Sequence, residues 1–281
     1  MSDIKLFVSC HKDNIYIPES ALLQPIQVGA AKAKTHFEGM LHDDTGDNIS
    51  LKNSSYCEGT GQYWAWKNAD ADYYGFFHYR RYFNFSDTQY PTKHEPFIFG
   101  DVVLQDNRTR NLARIGFNDE NVASVIENYD FIASQPTTDP FKQTIYQQYC
   151  SSVGHHKEDL DTVLDIVAKT YPDISKSVNE YMNLTWGYFC NMFIMRKDLF
   201  QDYSAFLFDV LAQHEQLCDF SDYAPVDARV SGYLAERLCG AYLYHLTKGD
   251  YAYTELQRVY FRDTDKVQPL KQRIKNAVLR R

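Results

Sequence analysis

Short continuous apolar runs alternate along the chain with longer segments whose apolar residues recur at helical spacing. The runs over 4–10, 73–77 and 188–196 are typical of strands buried on both faces. Helical spacing is clearest over 159–172, where Leu160, Val163 and Val167 repeat. The pattern further predicts a strand over 25–31, a strand or loop over 95–104, a helix leading into a strand over 121–136, and helices over 54–69, 197–217 and 230–246.

Strands that alternate with helices in this way predict an α/β fold with a central, mostly parallel sheet flanked by helices. In open sheets of this kind, ligands bind beyond the carboxyl ends of the strands. The segment 39–53 is predicted to be a loop, because Asp, Asn, Gly and Ser cluster in it. The residues that directly follow the predicted strands are therefore the first candidates for a binding site.

Composition narrows the class of protein. With 281 residues, 44% of them hydrophobic and 23% charged, the chain is long enough for one large domain with a sizeable core. A net charge of −8 argues against general affinity for nucleic acid, which requires a basic face. The six cysteines show no CxxC spacing, and no leader pattern or membrane-spanning apolar run is present, so we expect reduced thiols and a cytoplasmic location.

Two predicted strands end in polar groups. The strand over 73–77 leads directly into His78, Arg80 and Arg81, and two arginines at a strand end are typical of a site for phosphate or another anion. The alternative is that both arginines pair with surface acids. The first strand ends in Cys10, followed by His11 and Lys12, which form either a nucleotide entry point or an ordinary surface turn.

The helix over 54–69 carries two tryptophans close to Glu58. Trp64 and Trp66 diverge around the helix axis, which favours core packing for one and allows a ligand wall for the other. Glu58 is also a candidate carboxylate for acid–base chemistry.

Polar residues also interrupt apolar segments further along the chain. Asn191 lies inside an apolar run, where a buried amide needs partners from the backbone or a ligand. Glu236 and Arg237 raise the same question on an otherwise apolar helix. Asp227 and Glu236 could place a carboxylate beside Arg229 for base chemistry, or these groups could form a plain ion pair.

The sequence contains no glycine-rich dinucleotide or P-loop motif. Asp70 and Asp72 have the Asp-x-Asp spacing of a metal–nucleotide site, but they precede their strand instead of following it. His155 and His156 lack a third ligand at helical spacing. We therefore predict no metal site and no required cofactor, with dependence on magnesium or manganese left open.

The segments VSCHKD, PIQVGA, DNISLKNSSYCEGTGQYWAWKN, YYGFFHYRRYF, NMFIMRKDLF and GYLAERL together resemble a bacterial family from capsular and exopolysaccharide gene clusters. The family was long catalogued only as a domain of unknown function. Its members are regarded as glycosyltransferases, and some as galactofuranosyltransferases that use UDP-galactofuranose. The resemblance runs over residues 3–245 and implies a GT-A-like, Rossmann-type domain over 1–250 with a helical C-terminal part.

The resemblance also implies roles for the residues singled out above. Where a GT-A enzyme carries an Asp-x-Asp motif and a metal ion, this chain carries cationic groups that could neutralise the leaving diphosphate. An inverting transfer needs one carboxylate as base. The implied set is His78, Arg80 and Arg81 for the donor diphosphate; Asp227, Glu236 and Glu58 for catalysis; Cys10, His11, Lys12, Asn53 and Tyr56 for the nucleotide; and Trp64, Trp66, Asn191 and Arg229 for the sugar or acceptor.

The last residues, 251–281, are expected to form an extension that ends in a basic amphipathic helix over 268–281. Such a helix could lie on the inner face of an anionic membrane or could dock one apolar stripe on the domain. The implied partners are a UDP-sugar donor and a glycan or lipid-linked glycan acceptor, without nucleic acid. The alternatives are a non-catalytic carbohydrate- or nucleotide-binding protein on the same fold and a phosphate-ester enzyme. The sequence leaves the sugar and the oligomeric state open.

Overall fold

The computed structural model describes residues 2–95 and 98–266. The predicted basic helix over 268–281 lies outside these residues. Within the described ranges, none of the helices combines the length and the apolar character needed to cross a membrane.

Eleven strands of the described chain form one large sheet, and two more form a small separate ladder. The strands are β1 Ile4–Cys10, β2 Leu23–Gln27, β3 Leu41–His42, β4 Tyr73–His78, β5 Arg81–Phe83, β6 Lys93–Glu95, β7 Ile98–Asp106, β8 Phe131–Ser134, β9 Thr137–Thr138, β10 Trp186–Gly187, β11 Phe193–Arg196, β12 Tyr253–Leu256 and β13 Arg258–Asp263. The large sheet runs in the order β12-β8-β11-β4-β5-β13-β7-β6, and β1, β2 and β3 extend from the side of β4.

The longest pairings in the sheet are parallel. Strand β1 pairs in parallel with β2 and β4, and β13 pairs in parallel with β7, whereas β11 runs antiparallel between β4 and β8. The predicted α/β fold with a mainly parallel central sheet is therefore confirmed. The boundary expected at residue 250 does not coincide with a break in this sheet, because β12 and β13 follow it and pair with β8 and β7.

Helices cover both faces of the sheet. The described residues also form short 3-10 helices over Ala30–Lys32, Ser50–Lys52 and Asp227–Arg229. The α-helices are α1 Asn53–Tyr56, α2 Gly59–Asn68, α3 Thr109–Arg114, α4 Asp119–Ile126, α5 Ile145–Ser151, α6 Lys157–Thr170, α7 Pro172–Met182, α8 Lys197–Leu217 and α9 Val230–Leu246.

Alternation along the strands divides the core into two layers. Phe7 and Phe76 point to the layer that contains α2 and α5 to α9, while Leu6 and Phe77 point to the layer that contains α3 and α4. Successive residues of a strand face opposite sides of a sheet. The sequence segments that form β1 and β4 are apolar without interruption because helices cover these central strands on both faces.

Two predicted elements are shorter than their apolar patterns indicated. The helix expected over 54–69 is broken into α1 and α2 at Cys57, whose φ of 52° is left-handed. The strand expected over 188–196 begins only at Phe193, because Cys190 and Asn191 have φ values of 76° and 48° and form a turn. Both interruptions lie at the carboxyl edge of the sheet described in the next subsection.

Gly75 lies in the middle of β4, where the neighbouring strands leave no space for a side chain. A Cβ atom at this position would lie 2.4 Å from Leu6 Cδ2 and 3.0 Å from Ile194 Cγ1. We therefore expect Gly75→Ala to lower the free energy of unfolding by about 1–3 kcal/mol, the usual cost of overpacking a core. Urea unfolding followed by tryptophan fluorescence measures this difference.

Gly59→Ala is the matched control for this prediction. The atom nearest to a Cβ at position 59 is Tyr56 Cβ at 3.7 Å, an ordinary contact distance. Its free energy of unfolding should stay at or above that of the wild type, since alanine favours a helix more than glycine does. Wild-type stability in Gly75→Ala would contradict the packing described here.

Candidate active site

A cleft with two lobes opens at the carboxyl ends of β1 and β4. The first lobe has a volume of about 380 Å³ and the second about 260 Å³. Four polar residues line both lobes and mark the place where they meet: Glu58, Asn191, Arg229 and Glu236. All four were among the site residues singled out in the sequence.

The carboxylate of Glu236 is held in place by two donors. Its Oε1 accepts a hydrogen bond from the backbone N–H of Cys190 at 2.7 Å, and its Oε2 accepts one from Arg237 Nη1 at 2.5 Å. Burial acts to raise the pKa of Glu236, but Arg237 and the Cys190 N–H outweigh it and hold the pKa below its usual value. Glu236 is therefore a firmly ionised carboxylate at neutral pH.

Arg237 is a buried positioning residue. Only 2% of its surface is exposed, and its guanidinium lies between the rings of Tyr149 and Phe189, with centroid distances of 5.8 and 5.4 Å. It also donates to the side-chain oxygen of Gln148. The plain ion pair considered for Glu236 is thus present, and its partner is the adjacent residue on α9.

Glu58 approaches the same point from the start of α2. Its Oε1 accepts a hydrogen bond from Asn191 Nδ2 at 3.2 Å, which connects α2 with the turn before β11. The Oδ1 atom of Asn191 is buried and has no hydrogen-bond partner in the described part of the chain. A buried amide oxygen left in this state is available to a ligand donor.

A buried aspartate fixes α2 itself. Asp43 is fully buried and accepts hydrogen bonds from the backbone N–H groups of Gly29 and Ala30 and from the hydroxyls of Ser50 and Thr60, at 2.5–2.9 Å. Because Thr60 lies in the first turn of α2, this network sets the position of that helix. The placement of Glu58 therefore depends on it.

His78 ends β4 and lines the first lobe. Its Nδ1 accepts a hydrogen bond from the backbone N–H of Arg80 at 3.3 Å, so the proton of the neutral ring lies on Nε2. Burial, together with the charges of Arg81, His11 and Arg80, lowers the pKa of His78 to about 3. At neutral pH His78 is thus an uncharged hydrogen-bond donor.

Arg81 lines the first lobe beside His78. Its Nε lies 3.4 Å from Asp101 Oδ2, and the fully buried Asp101 also accepts a hydrogen bond from Arg258 Nε at 2.7 Å. The Arg80 side chain instead contacts the Tyr260 hydroxyl at 3.2 Å and is not among the groups that line either lobe. The structure thus brings His78 and Arg81 together at the cleft and directs the Arg80 side chain towards β13.

Asp227 does not line the cleft. Its Oδ2 lies 3.3 Å from Nε2 of His156, and the His156 ring stacks on Tyr223 with centroids 4.4 Å apart. The expectation that Asp227 faces the cleft is therefore wrong, because its carboxylate contacts His156 outside both lobes.

Both tryptophans predicted to bind the sugar or acceptor pack against other side chains of the protein. Trp64 donates from Nε1 to Thr45 Oγ1 at 2.9 Å, and its ring meets Phe7 edge-on. Trp66 stacks on Phe208 with centroids 5.6 Å apart. Neither ring lines a lobe, so the ligand wall considered for one of them is not formed by this geometry.

The last residue of β1, Cys10, and the two that follow it, His11 and Lys12, do not line either lobe of the cleft. Cys10 is fully buried, which raises the pKa of its thiol to about 12. The His11 ring lies 6.2 Å from that of His78 and 5.1 Å from that of Tyr79, and Lys12 Nζ lies 3.1 Å from Asp265. His11 therefore lies beside His78, Lys12 is paired with Asp265, and Cys10 belongs to the core.

The side chains of Asn53 and Tyr56 make structural contacts around α1. Asn53 Nδ2 donates to the Cys57 carbonyl at 2.6 Å and to Thr60 Oγ1 at 3.1 Å. Tyr56 is 4% exposed and stacks near Phe208 in the core. The roles in nucleotide binding that the resemblance implied for these two residues have no support in their positions.

Several cleft residues were not found by sequence reasoning. Ser9 and Gln62 line the first lobe, and the Cys190 backbone N–H binds Glu236. The only sequence signal for the Cys190 turn was its neighbour Asn191 in an apolar run. The second lobe adds residues that no motif connected: Gln148, Ser152, His155 and Tyr233.

The Asp-x-Asp pair, Asp70 and Asp72, does not line either lobe of the cleft. Asp70 and Asp72 lie before β4, where Asp70 contacts Lys197 and Asp72 accepts from the Asp3 N–H at 2.8 Å. The end of β4 instead presents His78 and Arg81.

One other group in the described chain has metal-ligand chemistry. It consists of Asp159, His214 and Cys218 and lies outside the cleft. In it, His214 Nε2 hydrogen-bonds Asp159 Oδ1 at 2.9 Å, and the Tyr223 hydroxyl donates to Asp159 Oδ2 at 2.8 Å. These contacts explain the burial of the Asp159 carboxylate without an ion, because it belongs to a polar network between α6 and α8.

Comparisons with known proteins agree with this architecture. The family model described as a domain of unknown function, DUF4422, matches residues 5–248. The chain belongs to the DUF4422 family. A solved structure described as the apo form of the bifunctional glycosyltransferase WbbM is similar to this DUF4422 chain over 95% of its length, with 33% sequence identity and a TM-score of 0.86. This chain spans 47% of the WbbM chain, about half of its length. A comparison with curated proteins found no match.

The depressed pKa of His78 predicts how stability changes with pH. The folded chain keeps the ring neutral down to about pH 3, whereas an unfolded histidine takes up a proton near pH 6.5. The unfolded state therefore gains a proton as the pH falls below about 6.5, and the free energy of unfolding decreases. Between about pH 6 and pH 4, wild type should lose about 1.4 kcal/mol per pH unit more than His78→Gln. Urea unfolding across this range measures both slopes, and equal slopes would show that His78 is not held neutral.

Proposed function

We propose that this chain is a glycosyltransferase that moves a sugar from a UDP-sugar to a glycan acceptor. The observation that carries the proposal is the meeting of Glu58 and Glu236 with His78 and Arg81 in one cleft at the carboxyl edge of the sheet. Carboxylates and diphosphate-binding groups are the two components that sugar transfer from a nucleotide requires. The similarity to the glycosyltransferase WbbM at 33% identity supports the same class of reaction.

In this proposal the first lobe binds the donor diphosphate. Arg81 supplies a planar, permanently charged fork, which suits phosphate oxygens. His78 adds an uncharged Nε2–H donor, whose orientation is set by the hydrogen bond between its Nδ1 and the Arg80 N–H. Both groups would strengthen their interaction as negative charge grows on the leaving diphosphate. Because the end of β4 presents His78 and Arg81 where an acidic metal ligand would be needed, we propose that these two groups bind the diphosphate without a divalent ion.

Glu236 is the proposed base in the inverting form of the reaction. An acceptor hydroxyl oxygen forms a bond to C1 of the donor sugar while the bond from C1 to the diphosphate oxygen breaks. The hydroxyl proton passes to the Glu236 carboxylate, and the nucleoside diphosphate leaves with the electron pair. Glu236 suits this role because its ionised carboxylate is oriented by Arg237 and the Cys190 N–H. Glu58, across Asn191, is the second candidate.

The finer parts of the proposal rest on the family resemblance. We propose a sugar such as galactofuranose as the transferred group, and a capsular, exopolysaccharide or O-antigen glycan as the product. A lipid-linked acceptor would place the reaction at the cytoplasmic face of the membrane, with residues 268–281 as the proposed contact.

Removing the base should stop transfer without preventing donor binding. Glu236→Gln keeps the side-chain oxygen that accepts from Cys190 but cannot take up a proton. We expect kcat to fall by roughly 10²–10⁴-fold, the usual contribution of general base catalysis. Donor Kd, measured by isothermal titration calorimetry, should change less than about threefold, since only the base is removed.

Asp227→Asn is the matched control, because Asp227 contacts His156 outside the cleft. It should retain wild-type turnover, and Glu58→Gln should lose less activity than Glu236→Gln. Full turnover in Glu236→Gln would exclude it as the base. Binding of a UDP-sugar by the wild type, with neither hydrolysis nor transfer, would favour the non-catalytic sugar-binding alternative.

The metal-independent donor site makes a separate prediction. Arg81→Gln should raise donor Kd by about 10–100-fold, the range expected for a lost hydrogen bond to a charged group. Turnover by the wild type should persist in excess EDTA, since the neutral His78 and the cationic Arg81 take the place of an ion in the proposed site. Turnover that vanishes in EDTA and returns with manganese would overturn this part of the proposal.

A further inference from the structure

The second lobe has a mixed set of hydrogen-bonding groups that the donor site does not use. The Ser152 hydroxyl donates to the Gln148 carbonyl at 2.6 Å, which leaves its oxygen lone pairs for another donor. The side-chain oxygen of Gln148 accepts from Arg237, which leaves its NH₂ group as a donor. Two carboxylates and two guanidinium groups also line the lobe, so its charges balance, and this mixture of donors and acceptors suits the hydroxyl groups of a sugar.

The His155 ring is held in this lobe by two tyrosine rings and a backbone carbonyl. Its ring stacks on Tyr233 with centroids 4.0 Å apart and an interplanar angle of 18°, and it meets Tyr149 edge-on at 4.6 Å. Its Nδ1 lies 3.0 Å from the Val153 carbonyl, which can only accept, so Nδ1 carries the proton. Burial is the main cause that lowers the pKa of His155, so the ring is neutral and Nε2 is a hydrogen-bond acceptor.

We propose that the second lobe holds the sugar ring of the acceptor glycan, and that His155 Nε2 accepts a hydrogen bond from one of its hydroxyls. This inference rests on the proposed function. It makes His155 a residue that determines acceptor specificity. His155 would bind a hydroxyl other than the one that reacts at Glu236.

The position of the lobe favours the acceptor over the donor. Both lobes meet at Glu58 and Glu236, so a hydroxyl entering from the second lobe reaches the carboxylates from the side opposite to the diphosphate groups. His78 and Arg81 line only the first lobe, whereas Arg237, the guanidinium confined to the second lobe, is already paired with Glu236 and Gln148. A base placed between the two substrates is the arrangement that transfer to a hydroxyl requires.

The test compares His155→Phe with His156→Phe in the full-length enzyme. Phenylalanine at 155 keeps the stacking on Tyr233 but removes the nitrogen acceptor. His156 is a matched control, since its ring also stacks on a tyrosine, Tyr223, but lies outside both lobes. The donor is the UDP-sugar that wild type hydrolyses, and the acceptor is the lipid-linked glycan extract of a strain that lacks this gene.

We expect His155→Phe to raise KM for the extract by about tenfold, the upper range for one lost hydrogen bond. Its donor Kd and its rate of donor hydrolysis should stay within about twofold of wild type, and His156→Phe should match wild type in all three. Ser152→Phe fills the lobe with a ring and should abolish transfer while donor hydrolysis continues. If one of the two substitutions disturbs folding, the other variant still tests whether the second lobe binds the acceptor.

An unchanged KM for the extract in His155→Phe would overturn the inference, as would wild-type hydrolysis of the donor without any transfer to the extract. A parallel loss of donor binding in Ser152→Phe would assign the lobe to the donor instead. Failure of the proposed function itself has a different signature: wild type would neither hydrolyse nor transfer any UDP-sugar.

Discussion

The hydrogen bond from the Cys190 N–H to Glu236 determines how the parts of the cleft come together. It joins α9 to the turn before β11, and that turn exists because two successive residues, Cys190 and Asn191, adopt left-handed backbone conformations. Non-glycine residues pay a free-energy cost for this conformation, which surrounding structure must offset. The same turn points Asn191 at Glu58, so one backbone feature positions both carboxylates.

The opposite wall of the cleft depends on how β4 ends. This strand lies between β1 and β11 and is packed so closely that Gly75 cannot be larger. At its carboxyl end the chain turns into β5, and His78 pairs with Arg81 across that turn. A buried strand thus delivers a neutral imidazole and a guanidinium to one side of the cleft. Asp101, buried behind Arg81, provides the countercharge that a desolvated guanidinium requires.

The sequence predicted best where local pattern and tertiary environment agree. The helices over 197–217 and 230–246 match α8 and α9, the second of which is buried on all sides over 237–243. The sequence also identified His78, Arg81, Asn191 and Glu236, because burying a polar group inside an apolar segment is costly unless the group has a partner or a ligand.

The turn at Cys190 was not predicted, since a cysteine side chain does not favour the left-handed backbone conformation that it adopts here. Asp227 and Trp66 were predicted as site residues, but neither lines the cleft. Proximity along the sequence does not show in which direction a side chain points. The second lobe combines residues from α5, the loop after it and α9, which only the tertiary structure brings together.

The central claim is that neutral and cationic side chains at the end of β4 take the place of a metal in binding the donor diphosphate. A crystal structure of the full-length protein with UDP, grown in the presence of manganese, tests it most directly. The account predicts diphosphate oxygens within hydrogen-bonding distance of His78 Nε2 and the Arg81 guanidinium, with no ion between them and the protein. A manganese ion that bridges the diphosphate to Glu58 or Glu236 would contradict it.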